Sequence, residues 1–184
     1  GNVNPSLPRL CCHPRVRAVR YSPDHKASAR AKLLDTAGAL AKEKGFGTTG
    51  VDALMAAAGV TSGAFYSHFK SKPDLLKAIV ENELGRTQAL FAHQTRESLQ
   101  RAMAAYLSET HVETPAKGCM LPTLSAEVAR ADEETKALFE THLKALESTL
   151  TDALPTETAW AAISQAVGAV LIARALPKGD LRKT

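Results

Sequence analysis

VDALMAAAGVTSGAFYSHFKSK, residues 51–72, is the stretch whose reading decides the fold. It reads as a pair of short helices around a glycine-containing turn, the layout of a helix-turn-helix. Leu54, Ala57 and Ala58 fall on one face of the first segment. Gly59 stands where that helix must stop, and glycine tolerates the left-handed backbone such a stop often needs. Thr61 or Ser62 then offers a hydroxyl to cap the free amides of the next helix. In the second segment Phe65 and Phe69, four residues apart, make the inner stripe. Ser62, Gly63, Tyr66, Ser67 and His68 are small or hydrogen-bonding. A short polar helix with an apolar back is what can enter a major groove. The plainer alternative is an ordinary helical hairpin whose Tyr and His face solvent.

The neighbouring residues continue the pattern in order. Thr48-Thr49, Ala58-Gly59-Val60, Phe65-Tyr66-Ser67-His68-Phe69, Ser71-Lys72 and Asp74-Leu75-Leu76 follow one another across residues 28–80. This string resembles the DNA-binding signature of the TetR family of transcriptional regulators. It departs at Met55, where the family usually has Ala at the closest approach of the two helices. It also departs at Gly50, where a Ser or Thr usually precedes the helix, so a phosphate-binding hydroxyl is missing. The resemblance implies a head at 28–70 that binds DNA through three helices. It also implies a ligand-binding and dimerisation domain at 71–184, with a homodimer on a near-palindromic operator. Residue by residue, it assigns Tyr66, His68 and Lys72 to the sugar-phosphate backbone, Tyr66 also to a thymine methyl. Thr61, Ser62 and Gly63 are assigned to base edges and phosphates, and Thr49 with the helix end after it to a phosphate. The recognition segment carries no Arg or Gln. Bidentate reading of guanine or adenine is thus absent, and specificity leans on apolar contacts and DNA shape.

Charge is divided in the same sense. Residues 1–72 hold 11 Lys+Arg against 4 Asp+Glu, and residues 73–184 hold 12 against 15. A basic end beside a mildly acidic one is expected where only one end meets a polyanion.

With 184 residues and 45% hydrophobic content the chain can bury a real core, as one domain or two small ones. Alanine and leucine dominate and alternating β-branched runs are nearly absent, so the fold class is all-α. Residues 1–27 contain four prolines and scattered arginines without a continuous apolar run. They read as a disordered basic leader rather than a secretory signal, either an arm along DNA or a segment with no specific role. Cys11, Cys12 and Cys119 make an odd count that suggests reduced thiols, and the protein is expected in the cytoplasm with no cofactor and no metal. Ala159–Leu176 is strongly apolar but short for a bilayer and interrupted by Ser164, Gln165 and Arg174, so a buried helix is expected and no membrane partner.

Periodicity predicts helices over 28–44, from Ser71 through Phe91, over 95–112, 121–131 and 132–154, and a final one over 156–176 capped by Thr156. The last is apolar nearly all round and needs cover on more than one side, so the final two helices (132–154 and 156–176) are expected to pair with those of a second copy. The Asp180–Lys183 run reads as the start of a further turn, so the natural chain is expected to run on.

An effector pocket is expected among the helices after the head. Leu90, Phe91, Met103, Tyr106, Leu107, Met120, Leu124, Phe139 and Leu143 are candidate lining residues, with plain core packing as the competing reading of each. Gln88, His93, His111 and His142 are candidates to orient a polar group. They lack a metal-ligand spacing such as His-x-x-x-His. Cys119 lies just before a helix and beside Lys117, an environment that lowers a thiol pKa. The run Gly118-Cys119-Met120-Leu121-Pro122-Thr123-Leu124-Ser125-Ala126-Glu127-Val128 also resembles a branch of the family in which some members sense electrophiles through that cysteine. The opposing reading is a small inert buried residue.

The leading function is therefore a ligand-responsive repressor. A helical enzyme is the second class, but no nucleophile elbow, phosphate loop, metal cluster or carboxylate pair supports it. A DNA-binding dimer without an effector is the third, distinguished from the first by whether the core beyond the head is filled.

Overall fold

The computed structural model describes residues 23–183; residues 1–22, Cys11 and Cys12 among them, lie outside the described residues, as does Thr184. The described residues form α1 (Pro23–Lys44), α2 (Val51–Ala57), α3 (Ser62–Phe65), α4 (Lys72–Phe91), α5 (Arg96–Tyr106), α6 (Glu109–Glu113), α7 (Leu121–Ala129), α8 (Glu133–Thr151) and α9 (Thr156–Ala175). Single 3-10 turns at Pro115–Lys117 and Asp180–Lys183 complete the chain. No strand occurs among the described residues, so the all-α class holds.

Within the described residues α1 runs from Pro23, ahead of the start that the apolar stripe alone indicated. Its inward face is Leu33, Leu34, Ala37 and Ala41, packed on Leu54 and Met55 of α2 and on Phe65 and Phe69. Met55, the departure from the family pattern, is 1% exposed and fills the head core. Gly59 adopts φ +69°, and the Val60 amide donates to the Met55 carbonyl at 3.0 Å, closing α2 in the left-handed turn that only glycine adopts without strain. Gly50 precedes α2 and gives it no side-chain cap.

α4 is the spine. Ser71 accepts from the Asp74 amide at 3.2 Å and Asp74 Oδ2 accepts from the Lys70 amide at 2.9 Å, a reciprocal cap that fixes where α4 leaves the head. Leu75, Leu76, Ile79 and Val80 belong to a core continuous with the head on one side and with Leu121, Leu124, Leu146 and Leu150 on the other. α8 packs along α4, and a Lys77–Glu134 ion pair links them.

The helix expected over 95–112 is two. Ser108 accepts from the His111 amide at 3.3 Å and caps a separate helix, so the chain turns at Leu107 and Ser108. At the other end Pro155, not Thr156, precedes α9 and offers no side-chain cap. α9 is also less buried than expected. Ala159, Ala166 and Val170 face inward, whereas Trp160, Leu171 and Ile172 are exposed.

A charged side chain stands on the apolar face of both α1 and α4. Lys42 Nζ lies 2.7 Å from Glu83 Oε2 and donates to the Gly118 carbonyl at 2.9 Å, and both side chains are buried. Removing one partner leaves an uncompensated buried charge. Lys42→Met is therefore expected to lower the unfolding free energy by about 3–5 kcal/mol, and Lys42→Met with Glu83→Leu to recover most of it. Urea unfolding of the two variants and the parent is the check, and a single variant as stable as the parent would refute the assignment.

Candidate nucleic-acid interface and interior cavity

Sequence places the outward face of the head by placing its inward one. Phe65 and Phe69 are 0% and 2% exposed, with ring centroids 5.7 Å apart. α3 is a single turn, after which the His68 and Phe69 amides donate to the Phe65 carbonyl, both at 2.9 Å. Tyr66, edge-on to Phe65 at 5.0 Å, points out and is 68% exposed. Thr61 and Gly63 are exposed beside it, and His68 is half-buried. The backbone of Ser62 opens α3.

Lys72 and Thr49, both predicted DNA contacts, have partners inside the head. Lys72 Nζ donates to the Gly47 carbonyl at 3.1 Å and sits 5.0 Å from the Phe46 ring centroid, holding its charge at the foot of α4. Thr49 is a correction. Its hydroxyl donates to the Gly45 carbonyl at 2.6 Å and the residue is buried, so its side chain closes the end of α1 rather than waiting for a phosphate. Arg30 of α1 is exposed, with its guanidinium 5.2 Å from the Phe69 ring centroid.

Behind the head lies a cavity of about 750 Å³ between α1, α4, α5 and the loop before α7. Lys42, Glu83, Thr87, Tyr106, His111 and Cys119 supply its polar groups, while Phe91, Ala102 and Ala105 supply apolar wall. The Arg86–Asp35 ion pair, 2.8 Å, and Lys117 stand at the mouth. Of the predicted lining residues, Phe91 and Tyr106 face this cavity, with Leu90 at its exposed rim. Met103 lines a smaller one next to it. Met120 and Leu124 are fully buried core, and Phe139 and Leu143 pack against the core without reaching either cavity. Leu107 is displaced by the break before α6. It is exposed and lines a surface groove beside α9. Among the histidine and glutamine candidates only His111 faces the cavity; His93 sits exposed in the turn after α4, with φ 57°.

His111 organises the floor. Its Nε2 accepts from the Cys119 amide at 3.0 Å, so its Nδ1 carries the proton and donates to the Tyr106 carbonyl at 2.6 Å. A Cβ on Gly118 would stand 2.5 Å from Nε2, so glycine is needed for the loop to lie against the ring. Arg174 of α9 holds the other side, donating to the Val112 and His111 carbonyls and to Thr123 Oγ1 at 3.2, 3.0 and 3.0 Å. Burial holds the His111 pKa below its ordinary value, a downward push that outweighs the bond to Tyr106.

At Cys119 the two sequence readings are weighed by its surroundings. Burial pushes its thiol pKa up, outweighing the Leu121 amide, Tyr106, Thr87 and Lys42, which pull it down. Its Sγ accepts from the Leu121 amide at 3.5 Å, the helix-start contact expected from sequence, but desolvation wins. Lys42 and Glu83 were missed. The signal was a charge of each sign on a helix stripe that is otherwise apolar. Glu127 of α7 was missed too, although its carboxylate accepts from the Gly47 amide at 3.0 Å and ties the head to the body.

These features define a helix-turn-helix head on a helical body that carries a cavity open to solvent on one side. Residues 33–79 match a family model described as "Bacterial regulatory proteins, tetR family". HTH-type transcriptional regulator TtgR of Pseudomonas putida is 29% identical over 102 residues, which are 55% of this chain and 42% of TtgR. Transposon Tn10 TetC protein of Escherichia coli is 38% identical over 63 residues, 34% of this chain and 32% of TetC. The chain thus spans less than half the length of the curated relatives it matches. Among solved structures, E. coli NemR in its reduced form superposes with a TM-score of 0.67 at 22% identity, covering 80% of this chain and 88% of NemR. Regulatory protein TetR from Rhodobacter sphaeroides gives 0.62 at 24% identity, covering 79% and 89%. At these identities the structural likeness is one of fold. Over residues 33–79, the head is similar to the tetR family of bacterial regulatory proteins.

Two outcomes follow from the floor. A histidine held neutral in the fold stabilises it above the unfolded value of 6.5, and that contribution is lost as pH falls from there toward the lower folded value. The urea midpoint is expected to drop between pH 7 and pH 5 more steeply in the parent than in His111→Gln; parallel slopes would refute it. In protein carrying Cys11→Ser and Cys12→Ser, iodoacetamide at pH 7.5 is expected to alkylate Cys119 more slowly in the fold than in urea. A faster reaction in the fold would restore the activated thiol.

Proposed function

We propose that this protein is a sequence-specific DNA-binding transcriptional regulator, a repressor that leaves a near-palindromic operator when a small molecule fills the cavity behind its head. The observation that carries the reading is the head itself, where two buried phenylalanines force a short polar turn outward with Tyr66 68% exposed at its tip. Tyr66, His68 and Lys72 meet the sugar-phosphate backbone, with Thr61, Ser62 and Gly63 nearest the bases.

Two recognition segments are needed to read a palindrome, and α8 with α9 is the surface for the second copy. Trp160, Leu171 and Ile172 leave an apolar face on α9 that a homodimeric four-helix arrangement covers. The described helix α9 is long and apolar enough to cross a membrane by composition. Arg174, bonded to α6 and α7, favours the soluble reading in the cytoplasm.

The cavity of about 750 Å³ favours an effector-responsive regulator over a DNA-binding dimer with none. The raised thiol of Cys119 favours a reversibly bound effector over a thiol-reactive one.

Selection of genomic fragments with purified protein at fixed salt, followed by fluorescence anisotropy on the enriched sequence, is the test. Tyr66→Ala is expected to weaken operator binding by about 1–3 kcal/mol while leaving the circular dichroism unchanged. No enrichment over heparin-competed background, or a lone subunit in sedimentation at operator-binding concentrations, would overturn the proposal.

A further inference from the structure

Next to the polar cavity lies a wholly apolar one of about 30 Å³, walled by Met103, Leu146, Leu150, Ile163 and Val167. Thr87, Phe91, Tyr106 and Cys119 line both, so they form the partition between them. The Tyr106 hydroxyl is shut inside that partition. It is buried and makes no hydrogen bond of normal geometry. The Cys119 thiol beside it is only a weak acceptor. A buried hydroxyl left in this state is unfavourable, and a ligand atom that accepts from it recovers the loss.

The other polar groups of the floor are spoken for. Lys42 uses two of its three N–H donors on Glu83 and the Gly118 carbonyl. Thr87 donates to the Glu83 carbonyl at 3.0 Å, and both ring nitrogens of His111 are engaged. What remains to be satisfied is donors, the Tyr106 O–H and one N–H of Lys42, so the ligand must bring an acceptor. An anionic acceptor is disfavoured. The Glu83 carboxylate already neutralises Lys42 at 2.7 Å, and a second carboxylate would lie beside an anion whose counter-charge is committed. At the mouth Arg86 is likewise paired with Asp35, leaving Lys117 as the cation on that rim.

We propose that the cavity takes an uncharged amphiphile, an apolar body bearing a carbonyl oxygen. The oxygen accepts from the Tyr106 hydroxyl, and the body parts Phe91 and Tyr106 to join the polar cavity to the apolar one. The ligand's role in releasing DNA rests on the regulator reading above; its binding does not.

Calorimetry on the full chain without DNA tests this with 4-butylacetophenone, butylbenzene and 4-butylbenzoate, which share one body and differ in the acceptor. The ketone forms no bond to a thiol under these conditions. It is expected to bind about tenfold tighter than either partner, and Tyr106→Phe to remove about that factor for the ketone while leaving butylbenzene within about twofold. Tyr106→Phe deletes only an unsatisfied hydroxyl, and the ketone-over-carboxylate preference of the parent is a second readout that needs no variant. A carboxylate that binds as tightly as the ketone, an unchanged ketone affinity in Tyr106→Phe, or no binding of the ketone would each overturn the proposal. Operator binding is measured apart. Ketone binding by a protein with no duplex preference refutes the regulator and leaves the cavity chemistry standing, and the reverse outcome does the opposite.

Discussion

Lys42 holds the molecule together at the point where head meets body. It rises from α1, is 5% exposed, and donates to Glu83 of α4 and to the carbonyl of Gly118. An ammonium so placed is not tolerated without both a counter-charge and hydrogen-bond acceptors. The three segments are therefore held in one register. Glu127 makes a second tie from the same part of the body, to the amide of Gly47 in the loop that precedes α2. Both ties run from the head to the stretch between Gly118 and Glu127, which also supplies Cys119 to the floor of the cavity. The seat of the head and the floor of the cavity are one piece of chain.

That economy has a thermodynamic consequence. A ligand shifts a conformational equilibrium only by the difference between its affinities for the two states. In a body whose cavity was walled off from the head, that difference would have to be carried through intervening layers of packing. Here Asp35 and Lys42 of α1 themselves line the cavity. A molecule that repositions the Gly118 carbonyl alters a bond made by the head directly. His111 makes the coupling stiffer, since one neutral ring binds the Cys119 amide on one side and the Tyr106 carbonyl on the other.

The head was legible from sequence because its signals are local. Phe65 and Phe69 at a four-residue spacing, Gly59 at a left-handed turn and Ser71 before Pro73 each act within a few residues, and each appears where the pattern put it. The cavity was only partly legible, for the same reason inverted. Phe91 and Tyr106 reach it, but Leu124 and Met120, equally apolar and equally spaced, are sealed in the core. Periodicity tells which face of a helix points inward, not whether the space it points into is filled. The surroundings of the Cys119 thiol were partly legible for a related reason. A helix start and a nearby cation are visible in sequence, whereas the desolvation that outweighs them is a property of the packed interior. Lys42 and Glu83 carried a readable signal, a charge of each sign on two apolar stripes, but their pairing across the chain required the fold.

Arg174 decides how the far end of the molecule is used. On composition α9 could turn any face inward, since it is apolar nearly all round. One guanidinium that must satisfy its donors removes that freedom. By reaching the His111 and Val112 carbonyls at the end of α6 and the hydroxyl of Thr123 on α7, it fixes the rotation of α9 about its axis. Ala159, Ala166 and Val170 are then turned to the core, and Trp160, Leu171 and Ile172 are turned out. Ala159 and Ala166 let α9 approach its neighbours closely, and Trp160, Leu171 and Ile172 lie outward, where burial by a second copy would remove the most apolar surface from water. The same arginine thus braces the helix beneath His111 and orients the surface proposed for the partner. The cavity and that surface are therefore positioned by one side chain.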